Sequence, residues 1–207
     1  MWNFRDGPRF FAETPRSLGE APPLSEGRCE KKRGLSPIVC LASVLLGFAS
    51  SAQALDSVSF EHGWGNDNTF IWRAGAQWKW RKQWFADRTW RLGAYWDLQA
   101  GRWTGQNGVT DVGFTPVFRL ERSYGPDWWP YLEAAIGFHS VSDIRINSRR
   151  IFSTRFQYGD HLGAGLRFGE RRQFDVGVRL QHLSNGGLRH PNPGINFLLV
   201  RVQYHFN

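Results

Sequence analysis

The chain has 207 residues, a formal charge of +8, 11 tryptophans and two cysteines, Cys29 and Cys40. Two cysteines exclude a disulfide-rich scaffold, and no apolar run reaches the roughly 20 residues that a spanning helix needs. A basic balance is common among nucleic-acid binders. The leader described next sends the chain out of the cytoplasm, so the expected partner is an anionic lipid surface and not nucleic acid.

Residues 1–54 read as a leader and cleaved signal peptide. Residues 1–30 are rich in proline, glycine and charge. Lys31, Lys32 and Arg33 form a basic segment, an apolar run follows from Ile38 to Phe48, and Ala52-Gln53-Ala54 has the small-x-small form of a cleavage site. The mature domain is then 55–207. Both cysteines fall in the removed part, so an exported domain without disulfides needs another source of stability. Closure of a barrel within a bilayer supplies one.

From Leu55 onward the dominant period is two. Phe70, Trp72, Ala74, Ala76, Trp78 and Trp80 alternate with Ile71, Arg73, Gly75, Gln77, Lys79 and Arg81. Trp90 to Gln99, Val112 to Leu120 and Leu198 to Phe206 repeat the pattern, with charge on one parity and apolar residues on the other. Successive side chains of a strand point to opposite faces, so this is the signature of a two-faced sheet. Turn signals divide the domain into eight strands, near 56–65, 69–81, 89–101, 110–121, 130–141, 154–168, 173–184 and 196–206. Their lengths suit tilted membrane-spanning strands, and tryptophans near strand ends suit interfacial girdles. A soluble barrel shares the period but would place the many arginines outside. The reading is an all-β chain forming an eight-stranded antiparallel transmembrane β-barrel. Arg73, Lys79, Arg91, Asp97, Arg179 and Arg201 are expected to point inward. An even strand number puts both termini in the periplasm and the end of strand seven at the cell exterior.

Strand seven carries the most informative residues. Phe174, Val176, Val178 and Leu180 share the apolar parity, and His182 and Ser184 continue it. These two residues therefore face lipid at the outer rim, about 6.6–7 Å apart at their Cα atoms. A serine hydroxyl needs a base to become a nucleophile, and a histidine on the same face can provide one. Asn185, Gly186 and Gly187 follow. An amide donor and glycine backbone N–H groups can receive a developing oxyanion, whereas a plain glycine-rich hairpin turn would use the same residues structurally.

His182-Leu183-Ser184-Asn185-Gly186-Gly187, with Pro191-Asn192-Pro193-Gly194-Ile195-Asn196 after it, resembles the signature of lipid A 3-O-deacylases of the PagL type in order and spacing. The resemblance is specific over about residues 177–197. It implies an outer-membrane esterase that removes the ester-linked acyl chain at position 3 of lipid A, without metal or other cofactor. Ser184 would be nucleophile and His182 general base, with Asn185 and the N–H of Gly187 at the oxyanion. The third member falls on Asn196, where a glutamate is expected. Asparagine can orient an imidazole but brings no charge; Glu133, Asp143 and Asp160 are the alternative carboxylates.

Arginine forks match phosphates, so Arg149, Arg150 and Arg189 are the expected contacts to lipopolysaccharide among the outward arginines, which include Arg102, Arg145 and Arg155. His139, His161 and His205 show no metal-ligand spacing with one another, His190 reads as a loop residue and His62 as an interfacial or interior polar residue. A second copy of the chain, as a homodimer, is the one protein partner left open. The rival readings are a noncatalytic barrel that binds a surface ligand, and an outer-membrane phospholipase.

Overall fold

The computed structural model describes residues 54–85, 89–105, 107–123 and 127–206. The expected leader, residues 1–54, lies outside the described residues except for Ala54.

Eight strands form, at β1 (Ser57–Gly65), β2 (Thr69–Lys79), β3 (Trp90–Thr104), β4 (Val109–Arg122), β5 (Trp128–Val141), β6 (Phe156–Phe168), β7 (Phe174–Ser184) and β8 (Ile195–His205). Each pairs antiparallel with its neighbour in sequence, and β1 pairs with β8, so the sheet closes on itself without a free edge. A short 3-10 turn at Asn66–Asn68 joins β1 to β2. The first and last strands are in register from Ser57–His205 to Gly65–Phe197, so the start of β1 and the end of β8 lie at one mouth. The mouth at the far end, which the strand count puts outside the cell, carries the β1–β2, β3–β4, β5–β6 and β7–β8 connections.

The outward parity is apolar around the middle of the wall. Ile136, Leu162 and Leu180 are each more than 60% exposed, and Leu132, Phe138 and Val178 are also exposed. A belt of such residues cannot face water over this area and is the surface that lipid covers. The inward parity behaves as expected in the middle of the barrel. Arg73, Asp97, Arg179 and Arg201 are buried, while Lys79 and Arg91 are half-buried toward the periplasmic mouth. The buried charges pair: Arg73 with Asp111 at 2.7 Å, Arg119 with Asp175 at 2.6 Å and Glu133 at 2.9 Å, and Arg179 with Glu61 and Glu133 at 2.5 Å each. Without such partners each would carry a desolvation cost of several kcal/mol.

At the outer end the expectation of a polar interior fails. Ile71, Trp103, Val109, Val141, Leu183, Ile195, Phe197 and Leu199 are buried in one apolar cluster with Ile146 and Phe152 of the β5–β6 connection. Trp103 packs edge-on against Phe197 at 5.1 Å and Phe152 at 6.4 Å between centroids. The reason is that residues 142–155 fold back over the mouth, so inward side chains at this level meet other side chains instead of water. β3 also runs to Thr104, three residues beyond its expected end, and this extension carries Trp103 into the plug.

Candidate active site

The plug positions the candidate catalytic residues. Leu183 and Ile195 are paired across β7 and β8 and are both fully buried. Strand alternation then drives their neighbours outward. His182 and Ser184 lie half-buried on the outer wall, and Asn196 is exposed directly opposite His182 in register. His182 Nδ1 is 2.6 Å from Asn196 Oδ1. With the amide oxygen as acceptor, Nδ1 carries the proton and Nε2 is the basic nitrogen. On the other side β6 pairs Asp160 with His182 and Tyr158 with Ser184. Asp160 is exposed on the same outward face.

The β7–β8 connection is held from three sides. Asn185 is buried; its amide group donates to Ser153 Oγ and to the Arg189 carbonyl, both at 2.7 Å, and its Oδ1 accepts the Gly187 N–H at 2.9 Å. Its own N–H donates to Asn192 Oδ1 at 3.1 Å. The two groups expected to serve an oxyanion, the Asn185 side chain and the Gly187 N–H, are therefore bonded to each other and to the loop. The backbone donor that reaches Ser184 Oγ is instead Gly186 N–H, at 3.4 Å, with Gly186 at φ +66°. Gly194 has φ +55°, and a Cβ there would lie 2.7 Å from His182 Cε1. Only glycine lets the chain pass this close to the imidazole in that conformation.

Arg150, in the outer β5–β6 connection, is engaged by neighbouring loops. It pairs with Asp67 at 2.9 Å and donates to the carbonyl of Pro193 at 3.0 Å and to that of Gly194. It thus ties the β5–β6 and β1–β2 connections to the strand start that bears Asn196. Asn66 completes this clamp by accepting the Asn196 N–H at 2.8 Å. Arg149 borders an open cleft of about 250 Å³ with Asp67, Asn68, Asn147 and Ser148. Arg189 is exposed. Of the alternative carboxylates, Glu133 is committed to the interior network and Asp143 accepts the Arg145 N–H in the exposed β5–β6 connection, at 3.0 Å. Only Asp160 is brought beside His182. Sequence reasoning missed Asn66, Asp67 and Ser153, whose roles are set by contacts between loops and leave no periodic signal; Asn192 lies in the quoted signature but had no role assigned. Among the described residues, no group of three or more His, Cys, Asp or Glu is arranged to hold a metal ion.

A closed barrel with an apolar belt around its wall defines an integral outer-membrane protein, and a histidine and a serine share that wall at its rim. Residues 70–205 match the family model described as "Lipid A 3-O-deacylase (PagL)". The chain belongs to that family. It is 37% identical to the lipid A deacylase PagL of Pseudomonas aeruginosa over 164 residues, covering 78% of this chain and 92% of the relative. It is 34% identical to the lipid A deacylase PagL of Bordetella bronchiseptica over 125 residues, covering 58% of this chain and 63% of that relative. The solved structure described as the outer membrane enzyme PagL superposes with a TM-score of 0.66 at 34% identity, covering 72% of this chain and 98% of that one.

Proposed function

We propose that the protein is an outer-membrane esterase that removes the 3-position hydroxyacyl chain of lipid A, with Ser184 as nucleophile and His182 as base. The observation that carries the residue assignment is the 2.6 Å contact from Asn196 to His182 Nδ1, which presents Nε2 as base on the face that also bears Ser184. The pair stands at the outer end of β7, the end that faces the leaflet holding lipid A.

His182 Nε2 takes the Ser184 proton as Oγ attacks the ester carbonyl carbon. The negative charge moves to the carbonyl oxygen. Gly186 N–H is the donor aimed at this region, and Asn185 holds the turn that aims it. Collapse of the tetrahedral centre breaks the bond to the sugar oxygen, which receives the proton from His182. Water, deprotonated in turn by His182, then attacks the acyl carbon; collapse breaks its bond to Ser184 Oγ, which takes the proton back from His182, and the hydroxy fatty acid leaves. The sugar keeps a free hydroxyl at position 3.

The imidazolium formed at each step is stabilised by two neighbours with divided roles. Asn196 fixes the ring, and Asp160 supplies the negative charge. Directly opposed residues on paired strands hold their Cβ atoms about 4.5–5.5 Å apart, near enough for a carboxylate to act on the ring. Arg149 and Arg189 are the exposed arginines positioned to meet lipid A phosphates, while Arg150 holds the loop.

Mass spectrometry of lipid A from cells with and without the protein tests the reading. Loss of one hydroxyacyl chain is expected. Unchanged lipid A accompanied by fatty acids freed from phospholipid would assign the site to a phospholipase.

A further inference from the structure

The opposite mouth of the barrel holds a second concentration of chemistry that the esterase site does not use. A cavity of about 260 Å³ opens there, lined by Lys79, Arg91, Arg119, Arg167, Arg172 and the single carboxylate Glu121, among others. Arg119 is compensated from within by Asp175 and Glu133. Among the described residues, Arg91 and Arg172 form no ion pair with a carboxylate. Glu121 stands 3.9 Å from both Arg119 and Arg167. The guanidiniums of Arg91 and Arg172 share one indole, at 4.6 and 4.3 Å from the Trp129 ring centroid. Arg167 Nε donates to the Arg172 carbonyl at 2.7 Å, which brings a third guanidinium alongside.

Crowding like charges in a partly buried mouth is unfavourable unless something offsets it. Two buried nitrogens bordering the cavity, Arg91 Nε and His205 Nδ1, have no hydrogen-bond partner. Lys79, Arg91, Arg119, Glu121, Trp129, Arg167 and His205 all belong to the inward parity of their strands. The cavity therefore opens along the barrel axis to periplasmic water and not sideways into lipid.

We infer that the periplasmic mouth of the barrel is a binding site for a polyvalent phosphate-type anion taken from the periplasm. Guanidinium forks match the oxygens of such an anion. A single carboxylate ligand would leave much of the basic surplus uncompensated, whereas a multiply charged anion offsets it. The indole holds the Arg91 and Arg172 guanidiniums in place before binding, so less side-chain entropy is lost when the anion arrives. The site lies at the far end of the barrel from His182 and Ser184 and does not depend on the esterase reading.

Calorimetric titration of pyrophosphate into the full protein, held in nanodiscs of zwitterionic lipid, tests this. Saturable binding at one site is expected, stronger than for orthophosphate and weakened by salt. The double variant R91Q/R172Q should weaken it by about tenfold or more, while its lipid A hydrolysis stays at the wild-type rate. If that variant fails to fold, R172Q alone, in the β6–β7 turn, should weaken binding measurably. Absence of saturable binding, or wild-type affinity in the folded variants, would overturn the site. Displacement of pyrophosphate by an equal concentration of short-chain phosphatidylglycerol would overturn the soluble source and assign the pocket to a lipid headgroup.

Discussion

The middle of the barrel and its outer end are built as inverses. In the middle, charge is inside and the wall is apolar: Arg179, Glu61 and Glu133 are buried while Leu180, Leu162 and Ile136 are exposed. At the outer end the interior is the apolar cluster around Trp103 and Phe197, and the polar residues His182, Ser184, Asp160 and Asn196 stand on the wall. The lesson is that parity sets only direction. What a direction means depends on the depth along the axis, because water, lipid and the folded-over loop each cover a different level. Reactive groups on the wall at the rim can meet a lipid ester without the substrate entering the barrel.

The most severe way to break this arrangement is at the reactive pair. Ser184→Ala or His182→Ala should lower turnover by a factor on the order of 10⁴ or more, with the barrel still folded, because both side chains lie on the wall and support nothing inside. Electrophoretic migration without boiling reports folding, and lipid A mass spectra report turnover.

The inversion predicts a split between two buried substitutions. Trp103→Ala removes the largest plug side chain and should cost about 3–5 kcal/mol. The surviving folded fraction should also turn over more slowly, since Leu183 and Ile195 lose the packing that aims His182 and Asn196. Glu133→Gln leaves Arg119 and Arg179 short of a partner and should cost a similar amount, about 3–5 kcal/mol. Its folded fraction should keep the wild-type rate. Urea titration with activity measured per folded molecule separates the two, and equal kinetic damage from both would erase the distinction between the levels.

Much of this was legible in sequence because the wall is periodic. The run Phe174, Val176, Val178, Leu180 points to His182 and Ser184 as outward residues, and they lie there. Strand limits agree to within about three residues because turn residues mark them. The plug was not legible. Ile71 and Leu199 sit on the charged parity and look like exceptions until the β5–β6 connection is seen to pack against them. That connection has no period of its own. Arg149 and Arg150 are chemically alike in sequence, and only the reach of Arg150 to Asp67 and Gly194 tells a clamp from an exposed arginine. Asp160 was one carboxylate of three until the register of β6 placed it opposite His182.

Smaller effects sharpen the site itself. Asn196→Ala should lower kcat by about 10- to 100-fold with little change in KM, since it frees the imidazole to rotate. Asn196→Glu should preserve or raise the rate, because it adds charge to orientation. A wild-type rate for Asn196→Ala would mean that another residue holds His182.

The smallest effect concerns Asp160. Asp160→Asn should slow turnover by about tenfold through loss of a charge near the imidazolium. In the Asn196→Glu background the same change should be nearly silent, since the new carboxylate takes over. A double-mutant cycle on kcat reads this coupling; additive effects would show that Asp160 does not serve His182.

The most direct measurement is to quench the reaction of the full protein with lipid A and determine the mass of its peptides. A hydroxyacyl group on the peptide containing Ser184 is predicted in the wild type, at a level that rises in early time points and vanishes in His182→Ala. Acylation at another residue, or full turnover by Ser184→Ala, would contradict the account.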